Sequence, residues 1–200
     1  MRTLYTGLTA PDADNIHTPL IEITPVDDDT ALRHAADRID SYDYVLYTSR
    51  YAATYVGALL AKARRTVSIG SATTEALRRM GVEAIEQVGQ DNSYGVIDWF
   101  RRQPRGHVLI PRSNLALPII PDGLKALGFE VDCVTAYINQ MPLHPKKVDL
   151  DEIERIVFTS PSTIDNFIRL YGNLPTDKEL VTRGPVTEQH LRTIIKQQQL

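Results

Sequence analysis

Short apolar, β-branched runs alternate with segments of helical spacing through most of this chain, and that alternation constrains the fold more than any motif does. Strand-sized runs separated by helical stretches build a parallel sheet covered by helices, so the class is α/β. The strands read from it are Thr3–Thr6, Tyr44–Thr48, Thr66–Ile69, Ala84–Val88, Val108–Ile110, Ile156–Thr159 and Glu179–Thr182. Tyr51–Ala63, Thr73–Met80, Tyr94–Arg102 and Thr163–Leu170 carry apolar residues three and four apart and are the covering helices, with Gly81 at a helix C′ position.

Two segments break the alternation: Pro19-Leu-Ile-Glu-Ile-Thr-Pro25 and Val131 to Pro142 look extended, with no helix following either. If they pair, the chain crosses from one lobe to a second near residue 20 and returns near residue 140, which makes the first lobe discontinuous. An internal echo supports two lobes. Tyr47-Thr48-Ser49 resembles Phe158-Thr159-Ser160, offset by 111 positions, and Gly70-Ser71 resembles Gly184-Pro185, offset by 114. Each copy is a pair of strand-to-helix turns.

Composition narrows the function. With 22 basic and 25 acidic residues the formal charge is −3, so no global field attracts nucleic acid. A single cysteine, Cys133, excludes an internal disulfide and a thiolate metal cluster. The opening MRTLYTGLTAPDAD lacks the apolar run of a signal peptide. No apolar run approaches the roughly 20 residues of a membrane span. The expected compartment is the cytoplasm, with neither nucleic acid nor membrane as partner. No G-x-G-x-x-G, Walker, H-E-x-x-H or C-x-x-C motif is present, which disfavours a nucleotide cofactor or catalytic metal. The five histidines (His17, His34, His107, His144, His190) show no metal-ligand spacing and read as surface or structural.

What the chain offers instead is a set of hydroxyl- or glycine-bearing turns at the carboxyl ends of strands: Thr48-Ser49, Gly70-Ser71, Ser113-Asn114, Thr159-Ser160 and Gly184. Ligands bind at that edge of an open α/β sheet. Ser160 with Pro161 reads as an N-cap with proline at the first helical position, and Gly184-Pro185 repeats the arrangement. Unpaired N–H groups and the helix dipole favour anions there, each exposed contact contributing about 0.3–1 kcal/mol. Capping alone also puts Ser, Thr and Gly at such sites, so the argument rests on the set. Arg50 and Arg112 lie in these turns and can add charge-assisted contacts to carboxylates.

The order and spacing of Tyr47-Thr48-Ser49, Ile69-Gly-Ser-Ala-Thr-Thr-Glu, Leu109-Ile-Pro-Arg112, Gly128-Phe-Glu-Val-Asp-Cys-Val-Thr-Ala-Tyr137 and Val157-Phe-Thr-Ser-Pro-Ser162 resemble the uroporphyrinogen-III synthase family over residues 1–195. The resemblance implies two parallel-sheet α/β lobes, flavodoxin-like or Rossmann-like, joined by a two-stranded β-ladder, with the active-site cleft between them. The expected bounds are 1–18 with 143–200 for one lobe, 19–26 and 134–142 for the ladder, and 27–133 for the other lobe. Thr182-Arg-Gly-Pro-Val-Thr187 departs from the family's second Gly-Pro-Thr-Thr-type motif. The chain reaches Leu200 where many relatives continue, so a shortened first lobe is expected.

The implied reaction is cofactor-free and metal-free cyclisation of hydroxymethylbilane by a lyase, expected to be a monomer, with inversion of the last ring through a spiro intermediate. Its substrate carries eight carboxylates, which local donors must hold. By resemblance Tyr137 is the proton donor to the departing hydroxyl, and Thr187 holds substrate. Ser71, Thr73, Ser93 and Ser160 position it, together with Thr48, Ser49, Arg50, Gly70, Ala72, Arg112, Pro161, Ser162 and Gly184. The other reading is a non-enzymatic, two-lobed small-molecule or anion-binding protein of the periplasmic type, against which the missing signal peptide counts. A receiver-like domain would need one sheet and an acidic cluster at its strand ends.

Overall fold

A computed structural model describes residues 2–10 and 15–198. The chain divides into two compact units, one formed by residues 1–22 with 140–200 and the other by residues 23–139.

The first unit holds β1 (Thr3–Tyr5), β2 (Ile16–His17), β9 (Arg155–Phe158), β10 (Glu179–Thr182), α6 (Pro161–Tyr171) and α7 (Pro185–Gln198). Its sheet runs β10-β9-β1-β2, all neighbours parallel. Leu4, Ile156 and Phe158 from the sheet pack with Ile164, Phe167 and Leu191 from the helices. Ser160 is the N-cap of α6 and Pro161 its first residue, where a missing N–H costs nothing.

The second unit contains, in order, β3 (Glu22–Thr24), α1 (Thr30–Asp37), β4 (Tyr44–Tyr47), α2 (Arg50–Val56), β5 (Thr66–Ile69), α3 (Ser71–Arg79), β6 (Ile85–Val88), α4 (Ser93–Arg101), β7 (His107–Ser113), α5 (Ile119–Ala126) and β8 (Glu130–Gln140). The sheet order is β3-β8-β7-β4-β5-β6, with the strands from β8 to β6 parallel. β4 lies inside this sheet and every one of its residues is buried, as expected for a parallel strand covered on both faces. Side chains alternate across it: Val45 and Tyr47 join one core with Ala52, Val56 and Leu77, while Tyr44 and Leu46 join another with Val96, Phe100 and Leu124.

The α/β class and all seven alternating strands are present. The helix read over Tyr51–Ala63 closes at Val56 and continues as hydrogen-bonded turns, Leu60 N donating to Val56 O at 3.0 Å and Ala63 N to Leu60 O at 3.2 Å. α3 ends as read, with Gly81 N donating to Arg78 O and Val82 N to Leu77 O, both bonds of a Schellman motif. The Pro19–Pro25 segment does have a helix after it, α1, contrary to the reading above. The strand seen as Val108–Ile110 extends through Pro111 to Ser113. β4 pairs with β7 only at Val108 and Leu109, so Pro111 leaves no N–H missing from that ladder.

Candidate active site

The carboxyl ends of β4, β5, β6 and β7 lie along one edge of the second unit's parallel sheet, and three of the singled-out turns gather there, with Ser93 after β6 beside them. After β4, Thr48 is half-buried and Ser49 caps α2, its Oγ accepting from Tyr51 N at 3.1 Å. Arg50 is exposed; its guanidinium donates to Tyr51 Oη at 2.9 Å and sits 4.9 Å over that ring. After β5, Gly70 takes φ +74°, a conformation that favours glycine, and precedes α3. Ser71 and Ala72 are exposed on the first turn, but Thr73 is buried, so its hydroxyl faces packing and not solvent. After β6, Asn92 caps α4 by accepting from Gly95 N at 2.9 Å, and Ser93 opens the helix, half-buried. Near the end of β7, Arg112 is partly spent at home: it donates to Ala116 O and lies 3.8 Å from Cys133 Sγ.

Tyr137 reaches this edge through an irregularity in β8. Arg112 pairs with Thr135, yet Ser113 pairs with Tyr137, so Ala136 is an extra residue on β8, a bulge. Alternation would otherwise set Tyr137 opposite Val134 and Ala136; the bulge turns it onto their side, where all three join one core. There the phenol donates to Ser49 Oγ at 3.0 Å. The ring stacks at 6.3 Å on Tyr55 and tilts against Tyr51 at 5.8 Å. Burial raises the phenol's pKa above the ordinary tyrosine value, and hydrogen bonding with Ser49 and Ser113 pulls part of the way back. Asn114 fastens the β7 turn to β8, accepting from Asn139 N at 2.8 Å and donating to Asn139 O at 3.3 Å.

The first unit's sheet carries its own carboxyl edge. After β9, Thr163 Oγ1 accepts from Thr159 N at 3.2 Å and Ser160 N at 3.3 Å and donates to Ser160 O at 2.7 Å, while Ser160 Oγ and Ser162 Oγ bond each other at 2.9 Å. After β10, exposed Gly184 precedes α7, and Thr187 is buried in that helix's first turn instead of facing solvent. The α7 N-terminus is partly answered from within: Glu188 accepts from Thr182 Oγ1 at 2.7 Å, and bonds from Arg192 and Thr182 hold its carboxyl below the usual range.

Several groups at these edges escaped the sequence reading. Asp91 lies close to Gly70: a Cβ built on that glycine would sit 3.2 Å from Asp91 Oδ2, placing a carboxylate among the expected anion donors. Tyr51 and Tyr55, read only as helix residues, frame Tyr137. His17, read as surface, is the last residue of β2, and Thr18 Oγ1 beside it is buried without a partner among the described residues. At the opposite edge, Asp132 accepts from Tyr42 Oη at 2.8 Å and lies 3.2 Å from His107 Nε2; burial and this carboxylate push the Tyr42 phenol up to about 12. Among the described residues no three His, Cys, Asp or Glu side chains gather to hold a metal ion. No helix among them is long and apolar enough to cross a membrane.

A family model described as uroporphyrinogen-III synthase HemD matches residues 3–194. A porphyrin biosynthesis protein HemD of Ruminiclostridium josui is 27% identical over 193 residues, 88% of this chain and 38% of that protein. A putative uroporphyrinogen-III synthase of Methanothermobacter thermautotrophicus is 27% identical over 168 residues, 76% of this chain and 65% of that protein. The chain thus spans less than two thirds of the length of either relative. In fold it is similar to a crystal structure of a mutant uroporphyrinogen III synthase from the extremely thermophilic bacterium Thermus thermophilus, with a TM-score of 0.68 at 18% identity over 96% of this chain and 88% of that one. It is also similar to the uroporphyrinogen-III synthetase of Helicobacter pylori 26695, with a TM-score of 0.65 at 14% identity over 96% and 89%.

Proposed function

The chain belongs to the uroporphyrinogen-III synthase family, and from that premise we propose that it cyclises and dehydrates hydroxymethylbilane with inversion of the last ring, in tetrapyrrole biosynthesis. Loss of the terminal hydroxyl leaves a reactive azafulvene that also closes unaided to the symmetric isomer. The enzyme's task is to direct attack to the substituted carbon of the last ring, through the spiro intermediate, and that is a demand on geometry. Tyr137 donates the proton that the departing hydroxyl needs.

The observation that carries this reading is the bulge at Ala136, which turns Tyr137 to the sheet's carboxyl edge and rests its hydroxyl on the Ser49 cap at 3.0 Å. A phenol whose ionisation burial opposes keeps its proton at neutral pH and can donate it. The first-turn N–H groups of α2, α3 and α4, behind Ser49, Gly70 with Ser71 and Ala72, and Ser93, suit the substrate's carboxylates, with Arg50 and Arg112 adding charge that a protein of net −3 lacks overall. Thr48, Thr73, Ser160, Pro161, Ser162, Gly184 and Thr187 complete the substrate-binding set, Thr73 and Thr187 through their backbone. In this reading the enzyme needs neither metal nor cofactor and works as a monomer in the cytoplasm. The family match does not favour the non-enzymatic binding protein.

Supplying hydroxymethylbilane and measuring the isomer ratio of the product tests the reading. Predominantly type III product is expected; type I at the level of an enzyme-free blank overturns it.

A further inference from the structure

Resting on that reading, we infer that His17 is the proton acceptor of the reaction's last step. The overall conversion breaks one C–O bond and releases water, so the departing oxygen takes up one proton. It also joins the free α-carbon of the last ring to a bridging carbon, and that ring carbon must shed its hydrogen as a proton to become a pyrrole again. One proton enters and one leaves, at different atoms and at opposite ends of the sequence. Tyr137 supplies the first; a neutral phenol does not take the second.

His17 fits the complementary role. It is exposed and ends β2, at the carboxyl edge of the first unit's sheet, in register with Tyr5 of β1. Its Nε2 lies 2.8 Å from Gly7 O. A carbonyl oxygen only accepts, so Nε2 carries the hydrogen and the lone pair of the neutral ring is on Nδ1, the atom left to act as base. The carbonyl that fixes this tautomer is itself clamped: a Cβ on Gly7 would fall 2.6 Å from Thr159 Cγ2 and 2.9 Å from Tyr5 Cε1, so the backbone there is packed against both. Tyr5 flanks the imidazole at 6.1 Å, and Thr18 N donates to Tyr5 O at 3.0 Å, holding the next residue. The other histidines are placed differently. His107 begins its strand, at the far edge, beside Asp132 at 3.2 Å; His190 is bonded to Asp165 at 2.7 Å; His34 belongs to α1, and His144 lies in the loop after β8.

The test compares the parent with His17→Gln and His17→Ala, reading kcat with and without added imidazole, product isomer ratio and denaturation midpoint. Glutamine keeps an N–H for Gly7 O but has no basic nitrogen. If His17 accepts the proton, H17Q loses about 100-fold or more in kcat with an unchanged midpoint. Imidazole in the buffer restores part of the rate of H17A. Turnover by H17Q equal to the parent overturns the inference. So does recovery by glutamine of what alanine loses, because that marks a structural bond. Either result leaves type III formation by the parent standing, whereas a parent that makes only type I brings down the underlying reading itself.

Discussion

The turn after β4 and the turn after β9 are near-copies, Thr48-Ser49-Arg50-Tyr51-Ala52 against Thr159-Ser160-Pro161-Ser162-Thr163, yet they spend their hydroxyls differently. In the second, the residue three places into the helix is Thr163, whose Oγ1 satisfies the N–H groups of Thr159 and Ser160, while Ser160 bonds its neighbour Ser162; the turn is closed on itself. In the first, that place is taken by Ala52, which has no hydroxyl to give. Ser49 caps Tyr51 N and still accepts from Tyr137, a residue from another strand. A small deficit in one cap thus accompanies a serine that takes a phenol from another strand, and the same motif closes on itself in one unit and reaches outward in the other.

That contrast can be broken experimentally. The largest effect belongs to Tyr137→Phe: type III formation falls about 100-fold or more while stability barely changes, since one hydroxyl is lost and the ring remains. Thr163→Val, which opens the closed turn, leaves kcat within about twofold of the parent; rate measurements with isomer analysis decide between them, and equal losses would erase the distinction. Its effect is on stability instead, a loss of about 2 kcal/mol because two backbone N–H groups lose a buried acceptor, read from urea denaturation. Ser49→Ala costs less, about 1 kcal/mol, through one lost capping bond, and Ser160→Ala about 0.5 kcal/mol, since its hydroxyl pairs chiefly with another hydroxyl.

The smallest effect is a pH dependence. Burial raises the Tyr137 pKa in the folded protein above its unfolded value of about 10, so the unfolded chain ionises first as pH rises. The phenol's share of stability is therefore present below roughly pH 10 and lost as pH climbs through the folded value. Denaturation of the parent and Y137F at pH 8 and above pH 10 should show the parent losing more; parallel losses would mean the ring is not protected.

Much of this was legible because it is local. Strand periodicity, the Ser160-Pro161 helix start and the Gly81 stop depend on residues near one another in sequence, and the echo between Thr48-Ser49 and Thr159-Ser160 marked two strand-to-helix turns. The helices that escaped had competing local signals. α5 contains Pro121 and Gly123, which read as breakers; Pro121 falls in the first turn, where its N–H has no partner to lose, and Gly123 packs against α4, a Cβ there falling 2.4 Å from Ile97 Cδ1. α7 is largely polar, so its Gly184-Pro185 start was legible but its extent was not, and α1 follows a strand that seemed to have no helix. The site was legible as a set of turns and as Tyr137 by resemblance. Asp91 beside Gly70, the spent donors of Arg112, the buried hydroxyls of Thr73 and Thr187, and the two-residue strand ending in His17 all depend on neighbours distant in sequence.

The bulge in β8 has one more implication. A strand changes sides at every residue, but the bulge at Ala136 takes up one residue without a change of side, so the phenol shares the face of Val134 although the two stand an odd number of positions apart. Deleting Ala136 would set the tyrosine two places after Val134, where plain alternation keeps it on the same face and opposite Ser113; ironing out the bulge with Ala136 retained would instead swing the phenol to the other face, away from Ser49. A comparison of chains that opens a one-residue gap at Ala136 therefore aligns tyrosines that share an address, whereas an ungapped one matches this phenol to a residue of the other face.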